Sequence, residues 1–276
     1  MTASPIGLAA LTVLDKDPIE QVELAEKHGF DTIGVRLIPA TPTTAAYRLH
    51  EEPAQLTRVL KRLADSPVTV FDVEIIRLNA DYAKQDFRPF LETSQALGAK
   101  AVLVSGDDED PSRLVDSYAD FAQQCAAHGL AASLEPMSWT AVPNVQRAIQ
   151  IVSQADGPGR SILIDTLHTG RSTTTLEDIR CIPAEWIHYA QVCDAPVPTP
   201  ESMDEIIRQA REERLPAGEG GLDLVGMIAA LPAGTPLSVE LPNERRRQQL
   251  GDEQWLPQLL AATKAVEQAA NTRRVA

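Results

Sequence analysis

The sequence predicts a single (β/α)8 TIM barrel, an α/β fold in which parallel strands alternate with helices. Eight short runs rich in Val, Ile and Leu start 26 to 50 residues apart. Runs this apolar are typical of strands that are buried on both faces, as in a parallel sheet covered by helices. Helical patterns fill the intervals between the runs. No Gly-rich phosphate-binding motif follows the first run, which disfavours the alternative of a doubly wound sheet.

The elements follow one another in regular order. Asp17-Pro18 starts the first helix and Gly29 follows its end, while Glu52–Asp65 carries one apolar stripe. The other predicted helices are Asp110–His128, Val142–Ala155, Met203–Glu213 and Glu253–Ala269. The predicted strands are Ile6–Leu14, Thr32–Leu37, Val68–Leu78, Lys100–Ser105, Ala131–Met137, Ser161–Thr166, Ile187–Cys193 and Leu237–Leu241.

Composition excludes several classes of protein. The 39 Asp and Glu residues outnumber the 25 Lys and Arg residues, and the formal charge of −14 disfavours nucleic-acid binding. No apolar run is long enough to span a bilayer, and the N-terminal segment lacks the basic start of a signal peptide. The three Cys residues form no CxxC pair. We therefore expect a cytoplasmic single-domain protein over residues 1–276, with no membrane or nucleic-acid partner.

Four predicted strands end in side chains that are costly to bury. Glu135, Asp165, Gln191 and Glu240 end the fifth to eighth runs. In a barrel these ends meet at one face, where three unpaired carboxylates would be strongly unfavourable without a cation. Oxygen ligands of this kind suit one Mn²⁺ or Mg²⁺ ion, with Co²⁺ or Zn²⁺ possible. The alternative is that each carboxylate caps a helix or pairs with an Arg.

Motifs around these positions resemble the sugar phosphate isomerase/epimerase family of xylose-isomerase-like TIM barrels. The resemblance covers nearly the whole chain and implies one divalent metal bound by Glu135, Asp165, Gln191 and Glu240. Many members have His where this chain has Gln191. Endonuclease IV shares the fold, but the five His residues and the acidic charge of this chain disfavour that function. The motifs are Leu134-Glu135-Pro136, Asp165-Thr166-Leu167-His168, Gln191-Val192-Cys193-Asp194, the segment 214–220 and Val239-Glu240-Leu241-Pro242.

Six further residues are predicted to bind substrate. The resemblance implies this role for His168 and Arg214, although His168 could instead orient a ligand and Arg214 could cap a helix. Glu74 interrupts the third strand, where the alternative is an ion pair with Arg77 or Arg36. The other three predicted residues are Glu219 between two glycines, Arg171 as an anion contact and Trp139 as an apolar wall.

Such a site suits proton abstraction next to a carbonyl, with Glu135 and Glu240 as the acid and base. The leading hypothesis is a metal-dependent isomerase or epimerase of a ketose or keto-polyol, in carbohydrate metabolism. The alternative is a dehydratase, a lyase of the 3-dehydroshikimate or inosose type, and a non-catalytic sugar-binding barrel is the third. The expected partner is a small polyol or keto acid, and family members suggest a homodimer or homotetramer. Specificity is expected in the loops 38–50, 106–110, 137–143 and 195–202.

Overall fold

The structure is a computed structural model that describes residues 3–275 and confirms the predicted barrel. Its nine parallel strands form one nearly closed sheet in the order β6-β5-β4-β3-β2-β1-β9-β8-β7. Met1, Thr2 and Ala276, at the ends of the predicted domain, lie outside the described residues. The strands are β1 (Ile6–Leu8), β2 (Thr32–Arg36), β3 (Thr69–Leu78), β4 (Ala101–Gly106), β5 (Ala131–Glu135), β6 (Arg160–Ile162), β7 (Ile164–Asp165), β8 (Ala190–Val192) and β9 (Leu237–Val239).

The barrel closes within the sixth predicted strand, which is interrupted at Leu163. β6 pairs with β5, and β7 pairs with β8. The amide of Leu163 donates to the carbonyl of Leu134 at 3.0 Å. The chain therefore passes from one neighbouring strand to the other at this residue, which places Asp165 beside β8.

Most strands are shorter than their predicted runs, and the first and seventh differ most. The first run forms a strand only over β1, and Ala10–Val13 is a 3-10 helix. Thr12 anchors this helix, since its hydroxyl donates to the carbonyl of Val239 and accepts from the amide of Leu241, both at 2.8 Å. Another 3-10 helix at Ala184–Trp186 delays the start of the seventh strand. An apolar run predicts burial, and tertiary contacts decide between a strand and a tight helix.

The predicted helices are present with slightly different ends. Asp17 caps α1 by accepting hydrogen bonds from the amides of Ile19 and Glu20, and Gly29 ends the helix with φ of 81°. Asp110 caps α4 in the same way. These helices are α1 (Pro18–His28), α2 (Pro53–Ala64), α4 (Pro111–Ala127), α5 (Val145–Val152), α8 (Met203–Glu212) and α11 (Asp252–Val275). None of the helices that the structure describes is long and apolar enough to span a membrane.

Five further helices were not predicted, and all of them are short. They are α3 (Arg88–Ala96), α6 (Thr166–Gly170), α7 (Leu176–Arg180), α9 (Leu224–Ala230) and α10 (Glu244–Leu250). Segments of five to nine residues carry too little periodicity to be recognised in a sequence. One of the two shortest, α6, positions the site, since it follows β7 directly and carries His168.

Candidate active site

The four predicted strand-end residues meet at one end of the barrel. Glu135 ends β5, Asp165 ends β7, Gln191 lies in β8 and Glu240 follows β9 directly. None of the four is more than 3% exposed. The amide nitrogen of Gln191 donates to Glu240 Oε1 at 3.0 Å. The carboxyl ends of parallel strands share one face of a barrel, and this geometry brings the four side chains together.

His168 joins this group from the first turn of α6. Asp165 caps that helix by accepting from the amides of Leu167 and His168 at 2.7 and 3.3 Å. The His168 Nε2 atom lies 3.7 Å from Glu135 Oε1 and 4.0 Å from Asp165 Oδ2. Burial lowers the pKa of His168 to about 4, so the ring is neutral near pH 7. The edge of Trp139 packs against this ring, with centroids 4.8 Å apart.

Arg214 is the buried cation of the site. Its Nη1 atom lies 2.6 Å from Asp165 Oδ2, its Nη2 atom lies 2.9 Å from Glu240 Oε2, and its Nε donates to the carbonyl of Ala210 at 2.7 Å. Burial alone would raise the pKa of Asp165, but the charge of Arg214 and the hydrogen bonds from Arg214 and the Leu167 amide hold it below its usual value. Burial raises the pKa of Glu240 to about 8 despite the guanidinium.

The donor atoms present fit a divalent cation. Glu135, Asp165 and His168 each offer a ligand atom, and these atoms lie within 4.8 Å of one another. Glu135 Oε1 and Gln191 Oε1 are buried and have no hydrogen-bond partner among the described residues. Burial and the nearby carboxylates Glu240 and Asp165 raise the pKa of Glu135 well above its usual value. A bound cation would relieve this repulsion and engage both orphaned oxygens.

A cavity of about 350 Å³ opens above this group. Five predicted site residues line it, namely Glu135, Trp139, His168, Arg214 and Glu240. Three arginines that sequence reasoning did not assign to the site, Arg36, Arg77 and Arg211, line it as well. Arg36 ends β2 and Arg77 precedes the end of β3, so the strand-end rule that found the carboxylates would have found these two.

Glu74 forms the buried ion pair that was the alternative to a substrate-binding role. The Arg36 Nε atom donates to Glu74 Oε2 at 2.7 Å, and a second guanidinium nitrogen contacts the same oxygen. Glu74 is fully buried and is not among the residues that line the cavity. The register of β2 against β3 shifts between Ile33 and Gly34, and beyond this shift Arg36 lies directly opposite Glu74. This carboxylate therefore holds a cavity-lining arginine in place.

Two predicted substrate-binding residues lie apart from this group. Arg171 is buried and donates to Gln209 Oε1 on α8. Glu219 is exposed and contacts Arg246 at 2.7 Å and Gln258 at 2.9 Å. Neither residue lines the cavity. A substrate contact at either position stays a prediction.

The fold and the site define a TIM barrel with a candidate metal centre at the carboxyl ends of its strands. The model of the xylose isomerase-like TIM barrel family matches residues 22–266. The chain belongs to this family.

Two curated relatives are 3-dehydroshikimate dehydratases. The protein from Pseudomonas putida is 29% identical over 178 residues, which is 61% of this chain and 27% of that protein. The protein from Pseudomonas aeruginosa is 29% identical over 175 residues, which is 60% of this chain and 26% of that protein. The chain thus spans about a quarter of the length of the curated relatives that it matches. These relatives support the predicted dehydratase alternative better than the isomerase or epimerase hypothesis.

Solved structures agree on the fold. A fusion protein of a xylose isomerase-like TIM barrel and a 4-hydroxyphenylpyruvate dioxygenase has a TM-score of 0.78 at 22% identity, covering 99% of this chain and 44% of its own. The IolI protein with a bound zinc atom has a TM-score of 0.77 at 20% identity, and the match covers 95% of this chain and 98% of that one. The probable 3-dehydroshikimate dehydratase AsbF of Bacillus anthracis has a TM-score of 0.74 at 14% identity, and the match covers 95% of this chain and 99% of that one. Epimerases also share the fold. A D-allulose 3-epimerase from Methylomonas has a TM-score of 0.68 at 14% identity, and the match covers 96% of this chain and 99% of that one.

Proposed function

We propose that this chain is a metal-dependent dehydratase that acts on a cyclic keto acid of the 3-dehydroshikimate type. The observation that carries the proposal is the charge of the cavity wall. A chain with a formal charge of −14 places four arginines around one cavity. Guanidinium groups bind carboxylates well, and a neutral ketose has no group that needs them. The two curated relatives support the same substrate class.

The four arginines are not equivalent. Arg36 and Arg214 are buried and paired with buried carboxylates, Glu74 and Asp165 respectively. Arg77 contacts Asp107 at 2.9 Å, and its side chain is 40% exposed. Arg211 is exposed and forms no ion pair within residues 3–275. We therefore place the substrate carboxylate toward Arg77 and Arg211, and the substrate carbonyl toward Glu135 and Glu240.

The chemistry requires a cation and a pair of proton-transfer groups. When bound, the ion would be held by Glu135, Asp165, Gln191 and Glu240, and it supplies Lewis-acid stabilisation of negative charge on the carbonyl oxygen. The oxygen-rich set favours Mn²⁺ or Mg²⁺ over a softer ion. His168 lies next to these ligands and, being neutral, can accept or return a proton at Nε2.

The chain's own residues account for the elimination. A carboxylate, Glu135 or Glu240, takes the proton from the carbon next to the carbonyl. The C–O bond at the β carbon breaks, and the departing hydroxyl receives a proton from the other acid and leaves as water. A double bond forms between the α and β carbons. Arg214 holds Asp165 and Glu240 in place during these transfers, and Trp139 limits the access of water.

The test is turnover of 3-dehydroshikimate by protein loaded with Mn²⁺, Mg²⁺, Co²⁺ or Zn²⁺. We expect loss of one water by mass spectrometry and the absorbance of an aromatic dihydroxybenzoate, with neither in E135Q or after chelation. Ketoses incubated in D₂O provide the comparison, since deuterium uptake without loss of water supports the epimerase instead. A metal-loaded protein that leaves 3-dehydroshikimate unchanged contradicts the proposal.

The assembly and the compartment are proposals of the same kind. We propose a homodimer or homotetramer in the cytoplasm, as family membership suggests. Light scattering of the purified chain measures the mass of the assembly, and a single-subunit mass of about 30 kDa would contradict this proposal.

A further inference from the structure

Asp194 is a buried carboxylate that binds the backbone of a distant loop. Its Oδ1 atom accepts from the amides of Ala195 and Leu222 at 2.8 and 3.1 Å. Its Oδ2 atom accepts from the amides of Gly218 and Gly220, both at 3.0 Å. The residue is 1% exposed. Four backbone donors on one carboxylate form an arrangement that no apolar side chain could replace.

The loop that Asp194 binds, residues 214–222, is only partly held by burial. Arg214 and Pro216 are buried, whereas Gly218, Glu219 and Gly220 are exposed. A Cβ atom on Gly220 would lie 2.3 Å from Asp194 Oδ1, so this close approach requires glycine. Backbone bonds between Asp194 and Leu215, at 2.7 and 2.9 Å, add a short antiparallel bridge. Asp194 therefore fixes the part of the loop that burial does not, and it also binds the start of the loop next to Arg214.

The first residue of this loop is Arg214, whose guanidinium contacts Asp165 and Glu240. On the other side, Asn243 Nδ2 donates to the Arg214 carbonyl at 2.9 Å. We infer that Asp194 is a positioning residue, which acts through the 214–222 loop to hold Arg214 between the two carboxylates. The inference rests on the proposed function in taking Arg214 as part of the active site.

The test is a double-mutant cycle with D194N and R214M in the metal-loaded protein. The amide of D194N keeps one acceptor oxygen and turns a donor group toward two backbone amides. We expect D194N to lower kcat/KM about tenfold, mainly through kcat, in the wild-type background. In the R214M background, D194N should change it less than about twofold, because residues that act through one another are not additive. The matched control is D17N, since Asp17 also accepts from two backbone amides, at 2.8 and 2.9 Å, but caps α1. D17N should leave kcat/KM unchanged.

Two further measurements keep the inference independent of folding defects and of the reaction. G220A pushes the loop away from Asp194 without changing any charge and should reproduce the loss of kcat. Amide hydrogen exchange at Gly218, Gly220 and Leu222 should accelerate at least tenfold in D194N, whichever substrate the protein uses. Additive losses in the cycle, or unchanged exchange in D194N, overturn the inference.

Absence of turnover would count against the proposed function alone. The same cycle is then measured on Mn²⁺ affinity, to which Asp165 and Glu240 contribute directly. A D194N effect on Mn²⁺ affinity that disappears in the R214M background supports the inference. An effect that persists there, or no effect in either background, overturns it.

Discussion

Replacing Arg214 with Met should destabilise the metal-free protein strongly. The side chains of Arg214, Asp165 and Glu240 are 3%, 0% and 5% exposed, and the guanidinium lies 2.6 and 2.9 Å from the two carboxylates. Met keeps a long side chain but removes the charge, which leaves the buried carboxyl groups of Asp165 and Glu240 without the positive charge of the guanidinium. Removing one partner of a buried ion pair costs about 3–5 kcal/mol. In a chain of this size that corresponds to a fall in Tm of about 5–9 °C.

The assay is urea unfolding and Tm in the presence of EDTA and then with saturating Mn²⁺. The cation replaces the missing positive charge, and it no longer competes with Arg214 for Asp165 and Glu240. Mn²⁺ should therefore stabilise R214M more than the wild type, and the difference between them should shrink.

The matched control is R208M on helix α8. Arg208 also contacts two carboxylates, Glu205 at 2.7 Å and Glu213 at 2.8 Å, but all three side chains are 36–43% exposed. Ion pairs in water contribute little, so R208M should stay close to the wild type. If R214M in EDTA is as stable as R208M, burial does not govern this ion pair and the reasoning is wrong.

Three further predictions concern pH, substrate binding and the core. Metal-free protein should lose stability as pH rises from 5 to 8. The pKa of Glu240 is about 8 in the folded state and has its ordinary value in the unfolded chain, so the folded protein holds this proton more tightly. Urea titrations at each pH measure this slope. E240Q should reduce it without abolishing it, because burial also raises the pKa of Glu135, and an equal slope in E240Q contradicts the assignment. W139A should raise KM about tenfold with a smaller change in kcat, because Trp139 lines the cavity and packs against His168. Steady-state kinetics measure both constants, and a loss confined to kcat contradicts this role. Y118F should destabilise the fold by about 1–3 kcal/mol. The buried hydroxyl accepts a hydrogen bond from the Ser161 amide at 3.0 Å and lies 3.0 and 3.1 Å from the carbonyl oxygens of Ala132 and Ser161. A Y118F unfolding midpoint in urea equal to that of the wild type refutes this prediction.

The strand-end residues of the site could be predicted because they interrupt strongly apolar runs. Glu135, Asp165 and Glu240 are carboxylates at the ends of segments that must be buried, and a parallel barrel brings such ends to one face. The alternation of runs and helical segments predicted the barrel for the same reason. Both predictions depend on the order of residues along the chain and on burial, which local sequence expresses directly.

Other features depend on contacts between distant segments. The Arg36–Glu74 pair joins β2 to β3 through a register shift that has no sequence signal. Thr12 draws the end of the first apolar run into a 3-10 helix through Val239, which lies 227 residues away. Short helices such as α6 carry too few residues for a pattern. The positive charge of the cavity wall comes from arginines on two strands, a helix and a loop, which only the folded barrel brings together.

The sequence by itself determined the fold class, the face of the barrel where the candidate site lies and the carboxylates that lie there, because periodicity and burial are local properties of the chain. The tertiary structure decided which charges compensate one another. It paired Arg214 with Asp165 and Glu240, paired Arg36 with Glu74, and bound the loop of Arg214 to Asp194. Electrostatic pairing acts over a few ångströms in space, whatever the separation along the chain, and only the folded barrel sets those distances.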